Sequence, residues 1–172
     1  MFTTGEAEHL IQLPKKILID EQLHDSININ QKYPFRAKYL LANEEEKEFI
    51  FLLDVKQSAK FSLKFDLHHQ EDQTNIGLLR VNYFGQHRNP EVVTEKVPIV
   101  LHKYAGKWFD FNEHHIHFYV EGYRELDWAL PLLDDPFPVK EIKNNTDISD
   151  AFLHFCSRIN LVTRINFEGV LV

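Results

Sequence analysis

Apolar and polar residues alternate along most of the chain with a period of two, and the period lengthens only near the two ends. In "KFSLKFDLHH" (Lys60 to His69), Phe61, Leu63, Phe65 and Leu67 fall on one side of an extended strand. Ser62, Lys64, Asp66 and His68 fall on the other. The pattern also predicts strands over "YPFRAKYLLA" (Tyr33 to Ala42), "EFIFLLDV" (Glu48 to Val55) and "NIGLLRVNYF" (Asn75 to Phe84). The second of these is apolar enough to be central. Polar turns, "NEEEK" and "QEDQT", separate the runs, so the expectation is an antiparallel meander. Gly85 to Phe111 holds Pro90, Pro98 and Gly106 with only a short apolar run, "VPIVL", and reads as a long excursion of the functional kind. "HHIHFYV" and "DWALPLL" are expected to be the last strands, and "RINFEGVLV" an edge strand or a tail.

The helical period is found at the ends. Leu10, Leu13 and Ile17 sit at helical spacing between Thr4 and Ile19. Thr3 or Thr4 can cap this helix, with Glu6 or Glu8 in its first turn, and Pro14 can split it into two turns. Near the C-terminus Ile148, Phe152, Phe155 and Ile159 line one face, with Asp147 as cap and Asp150 at the third position. The predicted fold is α+β in a single domain, residues 1–172. One twisted, mostly antiparallel β-sheet carries N- and C-terminal helices packed on one face.

Composition fits this picture. Hydrophobic residues make up 44% of the 172, enough for a core, and 14 phenylalanines suit a packed sheet. The net charge of −7 speaks against a generally nucleic-acid-binding surface, but the charge is uneven. Glu121 to Asp150 holds eight acids and three bases, whereas Ile76 to Trp108 holds five bases and two acids. Cys156 is the single cysteine, which removes intrachain disulfides and cysteine-based zinc sites and fits a reducing, cytoplasmic setting. The N-terminus lacks the basic-then-apolar pattern of a secretion signal, and no apolar stretch approaches membrane-spanning length, so no membrane association is expected.

Two places carry candidate chemistry. In "NEHHIHFYVEG" a strand would put His115, His117 and Tyr119 on one face and Ile116, Phe118 and Val120 on the other, with His114. The apolar trio is the expected core side, which leaves His115 and His117 projecting outward, close enough to share an ion or a phosphate. They could equally be polar residues on an exposed strand. Tyr119 occupies the place where a histidine-triad hydrolase needs its third histidine. His115, His117 and Glu121 reproduce part of a cupin metal motif, without its flanking glycines. The second place is "FGQHRNP". His87, Arg88 and Asn89 would be displayed at a strand end, Arg88 suited to a phosphate, His87 to proton transfer and Asn89 to orienting either. Simple turn chemistry explains them as well. Arg80, inside an apolar strand, requires a partner, most simply a salt bridge.

The blocks "LLRVNYFGQHRNP", "HHIHFYVEGY", "DWALPL" and "FCSRIN" resemble, in that order, a family of uncharacterised small bacterial proteins. The resemblance covers about half the chain, Leu78 to Leu161. It departs from the family pattern in "CSRIN" and in the long insert between Asn89 and His115. It implies a small intracellular bacterial protein carried on mobile elements, and a looser likeness of the Arg-bearing strand and His-rich turn to some small toxins points to a phage-related or toxin–antitoxin setting. It also groups Arg80, Asn82, His87, Asn89, His115, His117, Tyr119 and Glu121 as one set, and supplies no mechanism.

Three functions are expected to compete. The first is an interaction or regulatory module whose acidic C-terminal third covers a basic partner. The second is an RNA- or nucleotide-directed phosphodiesterase or endoribonuclease. His87 and His117 would be its acid and base, Arg80 or Arg88 would stabilise phosphate charge, and Asn82, Asn89, His115, Tyr119 and Glu121 would bind. It requires His87 and His117 to lie within about 10 Å of one another. The third is a metal-binding domain built on His115 and His117. No cofactor is specifically expected, and the partner is a protein or RNA.

Overall fold

The computed structural model describes residues 1–168. Helix α1 (Thr4–Gln12) opens the chain. The Thr3 hydroxyl accepts from the Glu6 N–H, and the Glu6 carboxylate accepts from the Thr3 N–H. This capping box satisfies two N–H groups that a first turn leaves without partners. The helix is shorter than the helical spacing predicts. Pro14, which lacks a backbone donor, follows it, and Ile17 belongs to strand β1 (Lys16–Ile19). β2 (Gln22–His24) returns through Asp20 and Glu21, both at positive φ, and β3 (Ser26–Asn30) follows. The hydropathy pattern predicts none of these three strands, because runs of three to five residues barely establish a period.

The meander is β4 (Arg36–Ala42), β5 (Ile50–Gln57), β6 (Phe65–Glu71) and β7 (Ile76–Tyr83). Phe61 and Leu63 precede β6 instead of lying on it. The Ser58 hydroxyl accepts from the N–H groups of Lys60 and Phe61 and turns the chain there. The excursion contains β8 (His87–Arg88), a short helix α2 (Ile99–His102) and β9 (Trp108–Phe109). β10 (His115–Phe118) and β11 (Trp128–Pro131) come next. Helix α3 (Asn145–Arg158) is capped by Asn144, with Asp147 at the third position, three residues before the expected cap. Asn144 accepts from the Thr146 and Asp147 N–H groups, and the Asp147 carboxylate accepts from those of Lys143 and Asn144. β12 (Arg164–Glu168) pairs in parallel with β3. The remainder of the expected C-terminal segment, 169–172, lies outside the described residues.

Among the described residues the main sheet has eight strands in the order β11-β10-β7-β6-β5-β4-β1-β2, with every neighbouring pair antiparallel. The fold is therefore α+β, as the pattern predicts. Ala7, Leu10 and Ile11 of α1 and Ile148, Phe152 and Phe155 of α3 join Leu53, Val55, Leu67 and Val81 of the sheet in one core. Each large side chain fully buried there contributes about 1.5–3 kcal/mol. Lys15 fastens the two helix ends within this core. Its Nζ donates to the carbonyls of Ile11, Leu13 and Ile159 at 2.8, 2.8 and 2.9 Å and lies over the Phe51 ring. Burial pulls the Lys15 pKa down to about 7. Three carbonyl acceptors match the three donors of an ammonium, which opposes loss of the proton.

Candidate functional site

Residues directly opposite in an antiparallel ladder share a face of the sheet. The register therefore defines two rows on the face away from the main core. One runs Arg36, Lys56, Asp66, Asn82, His115; the other runs Lys38, Asp54, His68, Arg80, His117. Both rows cross five strands, and every member is polar.

At the β10 end this face is covered. The excursion folds back so that β8 sets His87 over His115 and His117. The ring centroids are 4.5 Å apart for His87 and His117, 4.7 Å for His115 and His117, and 5.8 Å for His87 and His115. Phe109 of β9 closes the cluster, 4.7 Å from His115. His115 and His117, expected to project outward, are 1% and 4% exposed. Strand periodicity assigns a side but cannot report what docks on that side.

The hydrogen bonds set each tautomer. His115 Nδ1 donates to the Glu113 carbonyl at 2.7 Å, and His117 Nδ1 donates to that of Leu126 at 2.8 Å. His87 Nε2 faces two oxygens, the Asp127 carbonyl at 2.9 Å and Asn89 Oδ1 at 3.1 Å, and so carries the proton. Asn89 is buried and fully used. Its amide donates to the carbonyls of Tyr104 (3.0 Å) and Ala129 (2.7 Å), and its oxygen accepts from the Ala129 N–H at 2.9 Å. β11 is the last strand of the sheet, and Asn89 takes the place of a neighbouring strand along that edge. His117, His87 and Asn89 thus bind the backbone at Leu126, Asp127 and Ala129, and clamp the return from β10 to β11.

Burial also sets the charge state. It is the first cause of a lowered pKa at His87, of one brought down to about 4 at His115, and of one well below the ordinary value at His117. The cluster is neutral at pH 7. His117 Nε2 is buried without a hydrogen-bond partner among the described residues. No group of three or more His, Cys, Asp or Glu side chains among those residues is disposed to hold a metal ion. His115 and His117, the candidate ligand pair, are neighbouring rings, each with its Nδ1 committed to a backbone carbonyl.

Toward the centre of the face, Arg80 Nε donates to His68 Nδ1 at 3.3 Å, and His68 Nε2 bonds Gln70 Oε1 at 3.0 Å. Among the described residues no carboxylate lies within salt-bridge distance of Arg80, contrary to the expected ion pair. Asn82 donates to Asp66 at 2.6 Å. Gly77 makes room for the β10–β11 return to settle here: a Cβ on it would stand 2.8 Å from Leu126 Cδ1. At the β4–β5 end, Arg36, Lys38 and Lys56 are exposed and have no carboxylate partner among the described residues.

Of the candidate residues, His87, His115, His117 and Asn89 meet, with Arg80 and Asn82 beside them in the rows. Three do not join. Arg88 turns outward to Glu91. The Tyr119 hydroxyl donates to the Phe2 carbonyl at 2.7 Å, beside α1, so Tyr119 does not continue the histidine face. The Glu121 carboxylate pairs with Lys96 at 3.4 Å. The candidate set omits His68, Asp66, Lys38 and Lys56. The alternation already placed His68 and Asp66 on a polar side; the missing signal was the register between strands.

One family model matches residues 2–161, and its description is "Family of unknown function (DUF6978)". No curated protein and no solved structure matches the chain.

Proposed function

The chain belongs to this family of unknown function, and we propose that it is a binding module without catalytic turnover, whose recognition surface for an anionic macromolecule is the open half of the polar sheet face. The contrast between the two ends of that face carries the reading. His115 and His117 are buried, neutral and committed to backbone carbonyls. The cations of β4 and β5 are exposed and without carboxylate partners among the described residues. Holding exposed like charges together costs free energy that an anionic partner returns.

The acidic C-terminal third favours this sign of partner as well. Asp135 takes Arg158 through two bonds, Asp127 pairs with Arg124, Glu141 with Lys143, and Asp147 caps α3. Those acids are largely engaged within the chain, so the reading exchanges the expected basic partner for an acidic one.

One observation favours the endoribonuclease as a second reading: His87 and His117 are in ring contact, at 4.5 Å. Against it, an acid–base pair must reach substrate, and His117 is closed off. The test is affinity capture from a bacterial extract with wild-type, Lys38→Glu/Lys56→Glu and His87→Gln proteins, alongside incubation with RNA. The expected result is salt-sensitive capture lost only in the double variant, with the RNA left intact. Capture indifferent to Lys38 and Lys56, or RNA cleavage that His87→Gln abolishes, would overturn the reading.

A further inference from the structure

We propose that the anionic partner is single-stranded RNA, laid across the open sheet face with its bases stacking on an aromatic cluster at one end. This rests on the open face being the recognition surface.

Two independent features argue for it, one on that face and one at its edge. The first is charge. Arg36, Lys38 and Lys56 project from the face, Arg80 shares a row with Lys38, and Lys60 and Lys64 lie in the adjoining β5–β6 loop. None has a carboxylate within salt-bridge distance among the described residues. Only Asp54 and Asp66 oppose them in the rows. In a chain of net charge −7, composition does not produce such a face by default. Cations lined along a strand suit a phosphate backbone.

The second is aromatic. Phe61, Phe84 and Phe111 come together where β6 begins and β7 ends, next in the chain after the Asn82 end of the row, with Phe84 against the core. Their ring centroids are 4.9 Å apart for Phe61 and Phe84, 5.3 Å for Phe84 and Phe111, and 5.7 Å for Phe61 and Phe111. Phe61 and Phe111 remain 36% and 41% exposed. Phe84 is held at φ 60, a conformation that bulky L-residues avoid. Its N–H donates to His114 Nδ1 at 3.1 Å, and its ring meets that imidazole edge-on at 4.5 Å. Phe84 is half-buried and packs against the core, so it backs the two rings that reach solvent.

Aromatic stacking favours unpaired bases over an acidic protein, and a single strand over a duplex whose bases are stacked internally. The acids within the cationic field favour RNA over DNA. Asp54 and Asp66 repel phosphate but accept a hydrogen bond from a ribose 2′-hydroxyl, which DNA lacks.

Fluorescence anisotropy with the full chain and a labelled oligouridylate at low salt tests this, with oligothymidylate, an RNA duplex and polyglutamate as parallel probes. Oligouridylate is expected to bind more tightly than the other three, and to weaken as salt rises. Lys38→Ala/Lys56→Ala should weaken it roughly tenfold and reduce the salt slope by about 1.4. Phe61→Ala/Phe111→Ala should weaken it about fivefold or more without changing the slope. Absence of saturable oligouridylate binding, affinity indifferent to Lys38 and Lys56, or equal binding of oligothymidylate overturns the proposal. If polyglutamate binds through Lys38 and Lys56 while oligouridylate does not, the RNA assignment fails and the binding-module reading stands. If no polyanion binds and capture from extract is also indifferent to these lysines, both fail.

Discussion

At the β10–β11 end of the polar face, His115, His117 and Asn89 are nearly inaccessible, and each N–H on their side chains meets a backbone carbonyl. At the β4–β5 end of the same rows, Arg36, Lys38 and Lys56 reach solvent and have no such partner among the described residues. Both ends are polar and both belong to one ladder. The difference lies in what covers them: the excursion of Gly85 to Phe111 and the β10–β11 return lie over one end and leave the other bare. A buried polar group without a partner costs about 1–3 kcal/mol, so most of a covered polar surface is consumed by internal hydrogen bonds, with His117 Nε2 an exception here. A bare one is left available for a ligand.

That contrast separates effects on stability from effects on binding. Asn89→Ala should be the most damaging change, because it strips partners from the Ala129 N–H and from the Tyr104 and Ala129 carbonyls in a closed site. A loss of about 3–4 kcal/mol is expected in urea denaturation. A loss within the range of ordinary surface substitutions would show that the covered end is not a clamp.

The next effect depends on pH. The His115 pKa falls from an ordinary 6.5 to about 4 in the fold. Between those values the unfolded chain takes up a proton that the native state refuses. The contribution is thus fully present above pH 6.5 and is lost as pH falls toward 4, by about 3 kcal/mol. Urea midpoints across this window should fall with acidification, and less so in His115→Gln. Identical slopes in the two proteins would remove His115 from the explanation.

Gly77→Ala should cost about 1–3 kcal/mol by driving a methyl group against Leu126 and loosening the return at the border of the two ends. A thermal unfolding curve unchanged by this substitution would mean the return is held elsewhere. The smallest stability effect belongs to Lys38→Ala/Lys56→Ala, within about 0.5 kcal/mol, even though these residues should dominate RNA affinity. A large destabilisation by that pair would make the open end structural as well and dissolve the comparison.

Much of this architecture was legible along the chain. The meander from Arg36 to Tyr83 follows the two-residue period, and the apolar face of α3 follows the helical one. The α3 cap was misplaced because Asp147 has capping chemistry of its own; Asn144 three residues earlier was the second half of the signal. The first three strands escaped notice for lack of length. The histidine cluster was half legible. The two-residue period gives the side of the strand that His115 and His117 occupy, but not their burial, and it does not extend to Tyr119 because β10 ends at Phe118.

Local periodicity by itself determined which residues form strands and helices, and which side of each strand is polar, because those properties depend on neighbours two to four positions away. Only the tertiary structure decided which end of the polar face is closed. That outcome rests on contacts between distant segments, such as Asn89 with Ala129, 40 residues apart, and on a register that aligns His68, Arg80 and His117 across three strands. The same imidazole or cation is structural or available for recognition according to whether another segment has docked above it.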